Sequence, residues 1–235
     1  MNYPDLYKLQ DKVFEALRGR YGSLYLTGGT ALSRFYLHHR YSDDLVFFVN
    51  DDTSFITLVQ NIRGVLNKSF KVLTNKLIQH ETFIRIWIES EGVELKLEFV
   101  NDVPFRWNTS LTVLDIPIDN VGNILTNKLT ALVSRDEPKD VYDIVSIAES
   151  YSFSWPDVFE NAMNKAIIAE PDVAMRLTAF PPELIQTQLW LAKSFDLEKF
   201  KNHLQIVGDD FLLARENSLG KDKKHVTEAK PSTTW

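Results

Sequence analysis

The chain of 235 residues contains no cysteine. That absence removes disulfide scaffolds, thiol catalysis and thiolate metal sites together. Long apolar runs are missing too: the longest, residues 45–49, falls far short of the roughly 20 residues that span a bilayer. The opening Met1-Asn2-Tyr3-Pro4-Asp5 carries neither a basic region nor an apolar core. The sequence therefore predicts no secretory signal, no membrane span and a cytoplasmic location. A positive excess is also lacking. With 26 Lys and Arg against 32 Asp and Glu, the formal net charge is -6, which excludes nucleic-acid binding by bulk charge and leaves it to a local basic patch. What is present is a 44% apolar and 25% charged composition, the balance of a folded chain and not of a disordered one.

Residues 3–20 space Leu6, Leu9, Val13, Phe14 and Leu17 as on one face of a helix. Residues 24–27 predict a short buried strand, Gly28-Gly29 a turn, and residues 30–39 a second helix. Residues 45–49, short and wholly apolar, predict a central strand, and residues 54–67 an amphipathic helix. Three extended segments follow at residues 70–78, 83–89 and 93–100. The last two alternate around Glu91-Gly92 and predict an antiparallel hairpin. Helical patterns then take over at residues 121–134, 138–150, 155–168, 182–193 and 197–213. The expected organisation is α+β: a mixed sheet with flanking helices over residues 1–118, a helical domain over 119–216, and a disordered tail over 217–235.

Four local features carry chemistry. Gly28-Gly29-Thr30 lies between a strand and a helix, where glycine lets the backbone turn tightly and approach a phosphate; the same pattern is otherwise a plain turn. Asp44 begins the central strand and shares a face with Val46, while Asp43 and Leu45 point the other way; an acidic residue there otherwise just caps the strand. Glu94, Lys96 and Glu98 alternate with apolar residues. They read either as a solvated, ion-paired face or as placing Glu98 near Asp44 around a divalent cation. Lys128 and Arg135 lie seven apart on one helix face, and Asp140 and Asp143 share a side of the helix that Pro138 begins. The five histidines, His38, His39, His80, His203 and His225, show no metal-ligand spacing and read as structural or surface residues.

Taken in order, Gly28-Gly29-Thr30-Ala31-Leu32 after a strand, Ser42-Asp43-Asp44-Leu45, and Lys128-Leu129-Thr130-Ala131-Leu132 followed by Arg135 and Lys139-Asp140-Val141-Tyr142-Asp143 resemble the AbiEii/AbiGii toxin family. These are minimal nucleotidyltransferases of bacterial abortive-infection and toxin–antitoxin systems. The resemblance runs over residues 21–147 and implies a nucleotidyltransferase-type core. By that resemblance Gly28, Gly29 and Thr30 cradle a nucleoside triphosphate, and Lys128 and Arg135 meet its phosphates. Asp44 is a magnesium ligand, Glu98 a looser match to a further carboxylate ligand, and Asp140 a candidate base. The implied reaction passes a nucleotidyl group to a hydroxyl, with the end of a transfer RNA or another RNA as acceptor and a cognate antitoxin as partner. A small-molecule acceptor and a non-catalytic nucleotide- or partner-binding module on the same fold are the alternatives. Two positions depart from the pattern. Lys139 stands where arginine is usual, and Val46 stands where the family has a second aspartate. Magnesium asks for hard oxygen ligands, and an isopropyl group supplies none.

Overall fold

The computed structural model describes residues 2–232. The chain forms two compact units. The first comprises the chain up to Ala31 with residues 42–104 and 110–119; the second comprises residues 32–41, residues 105–109 and the chain from Asn120 onward. The sequence places its boundary at residue 118. The units divide after Asp119, and the two short segments 32–41 and 105–109 go with the second unit.

In the first unit, α1 (Tyr3–Leu17) is capped by the Asn2 side chain, which accepts from the Asp5 N–H, and carries proline in its first turn. It buries the predicted stripe Leu6, Leu9, Val13, Phe14 and Leu17. Then come β1 (Tyr25–Thr27), α2 (Gly28–Leu32, its last residue in the second unit), β2 (Asp44–Asn50) and α3 (Phe55–Ser69). The remaining strands are β3 (Lys71–Val72), β4 (Ile78–Gln79), β5 (Phe83–Ser90), β6 (Val93–Asp102), β7 (Leu111–Val113) and β8 (Ile116–Ile118). They make one eight-stranded mixed sheet in the order β3-β5-β6-β2-β1-β8-β7, with β4 also against β5. The β2–β6 and β1–β8 pairs are parallel and the rest antiparallel.

Alternation along β2, β5 and β6 decides which face is core. Leu45, Phe47, Val49, Ile84, Ile86, Ile88, Leu95, Leu97 and Phe99 are all buried on one face, where α1 packs on β6 and α3 on β5. Phe47 and Phe99 stack there at 5.5 Å. Each such side chain contributes about 1.5–3 kcal/mol by leaving water. Asp44, Val46 and Phe48 consequently stand on the opposite, half-buried face. The hairpin forms as expected, with Glu91 and Gly92 both at positive φ, the backbone that a tight two-residue turn needs.

The second unit is helical. After a π-helical turn (Ser33–Leu37) it contains α4 (Val121–Ser134), α5 (Pro138–Ser150), α6 (Trp155–Met163), α7 (Glu170–Thr178), α8 (Glu183–Gln186) and α9 (Leu197–Leu212). Asn120, Ser154 and Asp196 cap α4, α6 and α9 through their side chains. Helix α4 packs against α5, α6 and α7, and α9 against α5 and α7.

The fold class is the one the sequence predicts, and several elements differ in detail. The extended segment 70–78 is broken into β3, a single turn at Thr74–Lys76, and β4. Strands β7 and β8 were not expected; their turn places Leu114 and Asp115 at positive φ without a glycine to announce it. The helix expected over 155–168 stops at Met163, that over 182–193 shrinks to α8, and α7 is additional. The expected disordered tail needs correction over its described part. Asn217 bonds through its side-chain amide to the Ala148 and Tyr151 carbonyls, each at 2.7 Å. The Val226 N–H meets the Ser152 carbonyl at 2.9 Å, and Val226 is fully buried. Side-chain plugs and backbone bonds hold this segment, and neither leaves a periodic sequence signal. Residues 233–235 lie outside the described residues.

Candidate functional site

The first unit presents the glycine turn and the mouth of β2 together. Gly28 has φ +67, the left-handed region that glycine enters without a Cβ penalty. A Cβ placed on it would stand 3.9 Å from the Val46 Cβ, and Thr27 lies opposite Val46 in the β1–β2 register. The Thr30 hydroxyl donates to the Asp44 carbonyl, so the turn and the strand are bonded to one another. Below them the Thr27 hydroxyl donates to the buried Asp119 carboxylate at 2.6 Å, and the Asp119 N–H to the Leu26 carbonyl at 2.8 Å. Sequence reasoning missed the Thr27–Asp119 pair. The partners are 92 residues apart, and nothing local marks either of them.

Asp44 and Glu98 do share a sheet face, but not as neighbours around an open position. The parallel β2–β6 register sets Asp44 opposite Lys96 and Val46 opposite Glu98. Lys96 Nζ lies 3.2 Å from Asp44 Oδ2 and 3.5 Å from Glu98 Oε1. From β5, Arg85 reaches the same Glu98 oxygen through Nε at 2.8 Å and Nη2 at 2.6 Å. Burial works against the charge of Lys96, but Asp44 and Glu98 prevail and hold its pKa above the ordinary lysine value. Two carboxylates and two cations make a neutral cluster. Among the described residues no group of three or more His, Asp or Glu side chains offers a metal site. A magnesium ion needs near-octahedral oxygen ligation, and these residues do not fit it.

The second unit collects the late motif. Lys128 Nζ bonds Asp140 Oδ1 at 2.7 Å and Asp143 Oδ2 at 2.6 Å. Arg135 grips Asp140 through Nε at 2.7 Å and Nη2 at 3.0 Å. Arg40, which the sequence reading passed over, grips both oxygens of Asp143 at 2.6 and 2.7 Å, and His39 adds a bond at 2.8 Å. Asp140 and Asp143 are fully buried, and Arg40 is 3% exposed. Burial alone would push Asp143 up; the Arg40 and Lys128 charges hold it well below the usual carboxylate range. Asp140 is lowered for the same reason, with Lys128 and Arg135 overcoming its burial. Burial lowers His39 despite Asp143, so it is neutral near pH 7 and its Nε2–H donates to the carboxylate. His39 stacks on Tyr142 at 5.5 Å. Arg135 borders a cavity of about 390 Å³ that Val141, Met175, Arg176 and Phe180 also line.

The expected site residues thus fall into two sets. Gly28, Gly29, Thr30, Asp44 and Glu98 belong to the first unit, and Lys128, Arg135 and Asp140 to the second, where they bind one another. Of the histidines besides His39, His203 pairs with Glu149 at 2.5 Å and His225 with Thr227 at 2.6 Å.

Comparison with known proteins bears on the family and the fold. A family model described as nucleotidyl transferase AbiEii toxin, type IV toxin–antitoxin system, matches residues 16–216. No curated protein matches the chain. Similar solved structures include JHP933 from Helicobacter pylori, at 20% identity and TM-score 0.56 over 86% of this chain and 89% of that one. A second Helicobacter pylori structure, assigned as a nucleotidyltransferase, shares 21% identity at TM-score 0.58 over 92% and 96% of the two chains. MenT4, a nucleotidyltransferase toxin from Mycobacterium tuberculosis, shares 15% identity at TM-score 0.53 over 94% and 85%.

Proposed function

Because this chain belongs to the AbiEii family of nucleotidyltransferase toxins of type IV toxin–antitoxin systems, we propose that it receives a nucleoside triphosphate at the Gly28-Gly29-Thr30 turn and passes the nucleotidyl group to a hydroxyl of an RNA. One observation carries this reading: the family match covers a turn in which Thr30 bonds the Asp44 carbonyl and Gly28 lies beside Val46. Two glycines in succession leave backbone N–H groups with no side chain to hold phosphates away. In the transfer the acceptor oxygen bonds to the α-phosphorus, the bond from that phosphorus to the bridging oxygen breaks, pyrophosphate leaves, and the hydroxyl proton is released to water.

Asp140 is the base that the resemblance offers. Held ionised between Lys128 and Arg135, it accepts a proton poorly. In this reading Asp140 and Lys128 position Arg135 and keep the second unit folded. Nucleotidyltransferases typically use a divalent metal, which would stabilise charge on the phosphates; Asp44 and Glu98, held by Lys96 and Arg85, do not fit it. Membership of a type IV system brings a nucleotide substrate and a cognate antitoxin. Among the described residues no helix is long and apolar enough to cross a membrane.

Val46 and the pairing of Lys96 with Asp44 favour one second reading, a nucleotide-binding module that keeps the scaffold without the transfer. Incubating wild type and Val46→Asp with each labelled triphosphate, magnesium and total cellular RNA separates the two. Label on RNA from one preferred nucleotide is expected. Unlabelled RNA with both proteins removes the transfer and leaves the binding module.

A further inference from the structure

Building on the nucleotide-binding reading above, we infer that the Lys96 ammonium is the resident cation of this site, so that Asp44 and Glu98 take up no divalent metal and a nucleoside triphosphate binds without one. Three observations converge on this assignment. The first is position. Lys96 Nζ stands between the two carboxylates, 3.2 Å from Asp44 Oδ2 and 3.5 Å from Glu98 Oε1, where an ion bridging them would sit. The second is charge. With Arg85 doubly bonded to the same Glu98 oxygen, the cluster is neutral, and a dication entering it would have to expel an ammonium that the burial of Leu95 and Leu97 on the opposite face keeps on this one. The third is the missing ligand. Val46 sits opposite Glu98 and beside Gly28, so the strand position next to both carboxylates carries a hydrocarbon and no oxygen donor. Losing a carboxylate at residue 46 and holding a lysine at residue 96 are complementary. The two carboxylates that remain need one positive charge close by, and the chain supplies it covalently. A fixed ammonium offers attraction to phosphate oxygens without the exchangeable coordination sites of a metal.

Manganese alone, titrated into the full chain and followed by the paramagnetic resonance of the free ion, tests the assignment directly. Wild type is expected to show no bound manganese that depends on Asp44. Lys96→Met, which keeps the bulk of the stem, is expected to gain manganese binding by about tenfold or more, because two carboxylates then lie without their ammonium. Manganese bound by wild type and lost in Asp44→Asn would overturn the inference. Calorimetry with ATP, CTP, GTP and UTP, each in magnesium and in chelator, gives a second arm. The affinity of the preferred nucleotide is expected to agree within about twofold between the two conditions, and binding that vanishes in chelator overturns the inference. Should none of the four nucleotides bind, the nucleotide reading fails while the manganese titration still decides the role of Lys96. If circular dichroism shows Lys96→Met unfolded, the wild-type measurements and Asp44→Asn carry the test.

Discussion

Replacing Asp143 by asparagine probes the most concentrated electrostatics in the molecule. The carboxylate is fully buried and accepts from Arg40 twice, from Lys128 and from His39, at 2.6 to 2.8 Å. Asparagine keeps the shape and one acceptor oxygen, but it removes the charge and turns an amide N–H₂ toward donors. Arg40, its side chain 2% exposed, would then lose its bonds to a carboxylate, and Lys128, 7% exposed, would keep only Asp140, which Arg135 also grips. Stranding a buried charge in this way costs about 3–5 kcal/mol. For a chain of this size that corresponds to a fall in melting temperature of roughly 6–20 °C. Urea and thermal melts followed by circular dichroism measure it. The exposed pair Lys71–Glu89 serves as the control, and Glu89→Gln is expected to leave the melt in place. The double variant Lys128→Met with Asp143→Asn should lose less than the sum of the single losses, since removing the cation relieves its isolation. The acid dependence has a definite sign. Asp143 titrates well below the ordinary carboxylate value when folded, so its contribution is complete above about pH 4 and is lost as the pH falls through the folded value. A loss below about 1 kcal/mol for Asp143→Asn would refute the view that this network holds the second unit.

Three further outcomes follow from the same structure. Burial lowers the pKa of His39 in the folded chain, whereas the unfolded chain takes up that proton below about pH 6.5; stability should therefore decline as the pH falls from there through the folded value, and urea midpoints of His39→Gln across that window should lose this slope. Combining Val46→Asp with Lys96→Met places three carboxylates on one face, and manganese should raise the melting temperature of this double variant while leaving that of wild type unchanged. A Cβ on Gly220 would lie 1.8 Å from the Tyr151 carbonyl oxygen, so Gly220→Ala should displace the segment after Asn217 and make it the first site of cleavage in limited proteolysis.

Periodicity carried much of the fold. The stripe of α1, the alternation of β5 and β6 and the apolar run of β2 each bury the residues their spacing selects. What it did not carry was structure held by single contacts. Strands β7 and β8 are three residues each, with Pro117 in the second and a turn without glycine. The segment after Asn217 is anchored by Asn217, by the Ser218 bonds to Asp210 at 2.7 and 2.9 Å, and by one buried valine. A polar, aperiodic stretch reads as disorder, yet three or four well-placed groups suffice to hold it once a helix surface exists to receive them.

The site shows the same division between what is local and what is paired. Gly28-Gly29-Thr30 and Asp44 were legible because a strand, a turn and a second strand lie within a short span of sequence. Glu94, Lys96 and Glu98 were legible as one face, with a solvated ion-paired surface as one of its two meanings. What singles out Lys96 is the β2–β6 register, which sets it against Asp44; a slip of two residues would keep every side chain on its face and put Glu98 there instead. Register between parallel strands 52 residues apart, as in Asp44↔Lys96, is written in no local pattern. Arg40 was missed for the same reason, lying 103 residues from Asp143. The i,i+4 spacing of Lys139 and Asp143 would also allow a local pair, but α5 turns Asp140 and Asp143 inward to Lys128, where a bond in a dry environment outweighs a solvated surface pair. The motif that suggested phosphate binding therefore spends its charges internally in the second unit. In the first unit, Lys96 and Arg85 hold one oxygen each of Asp44 and Glu98. Both halves converge on one physical point: whether a carboxylate can serve as a ligand or a base depends on which cation already holds it, and that is settled by pairing across the fold and not by the identity of the residue.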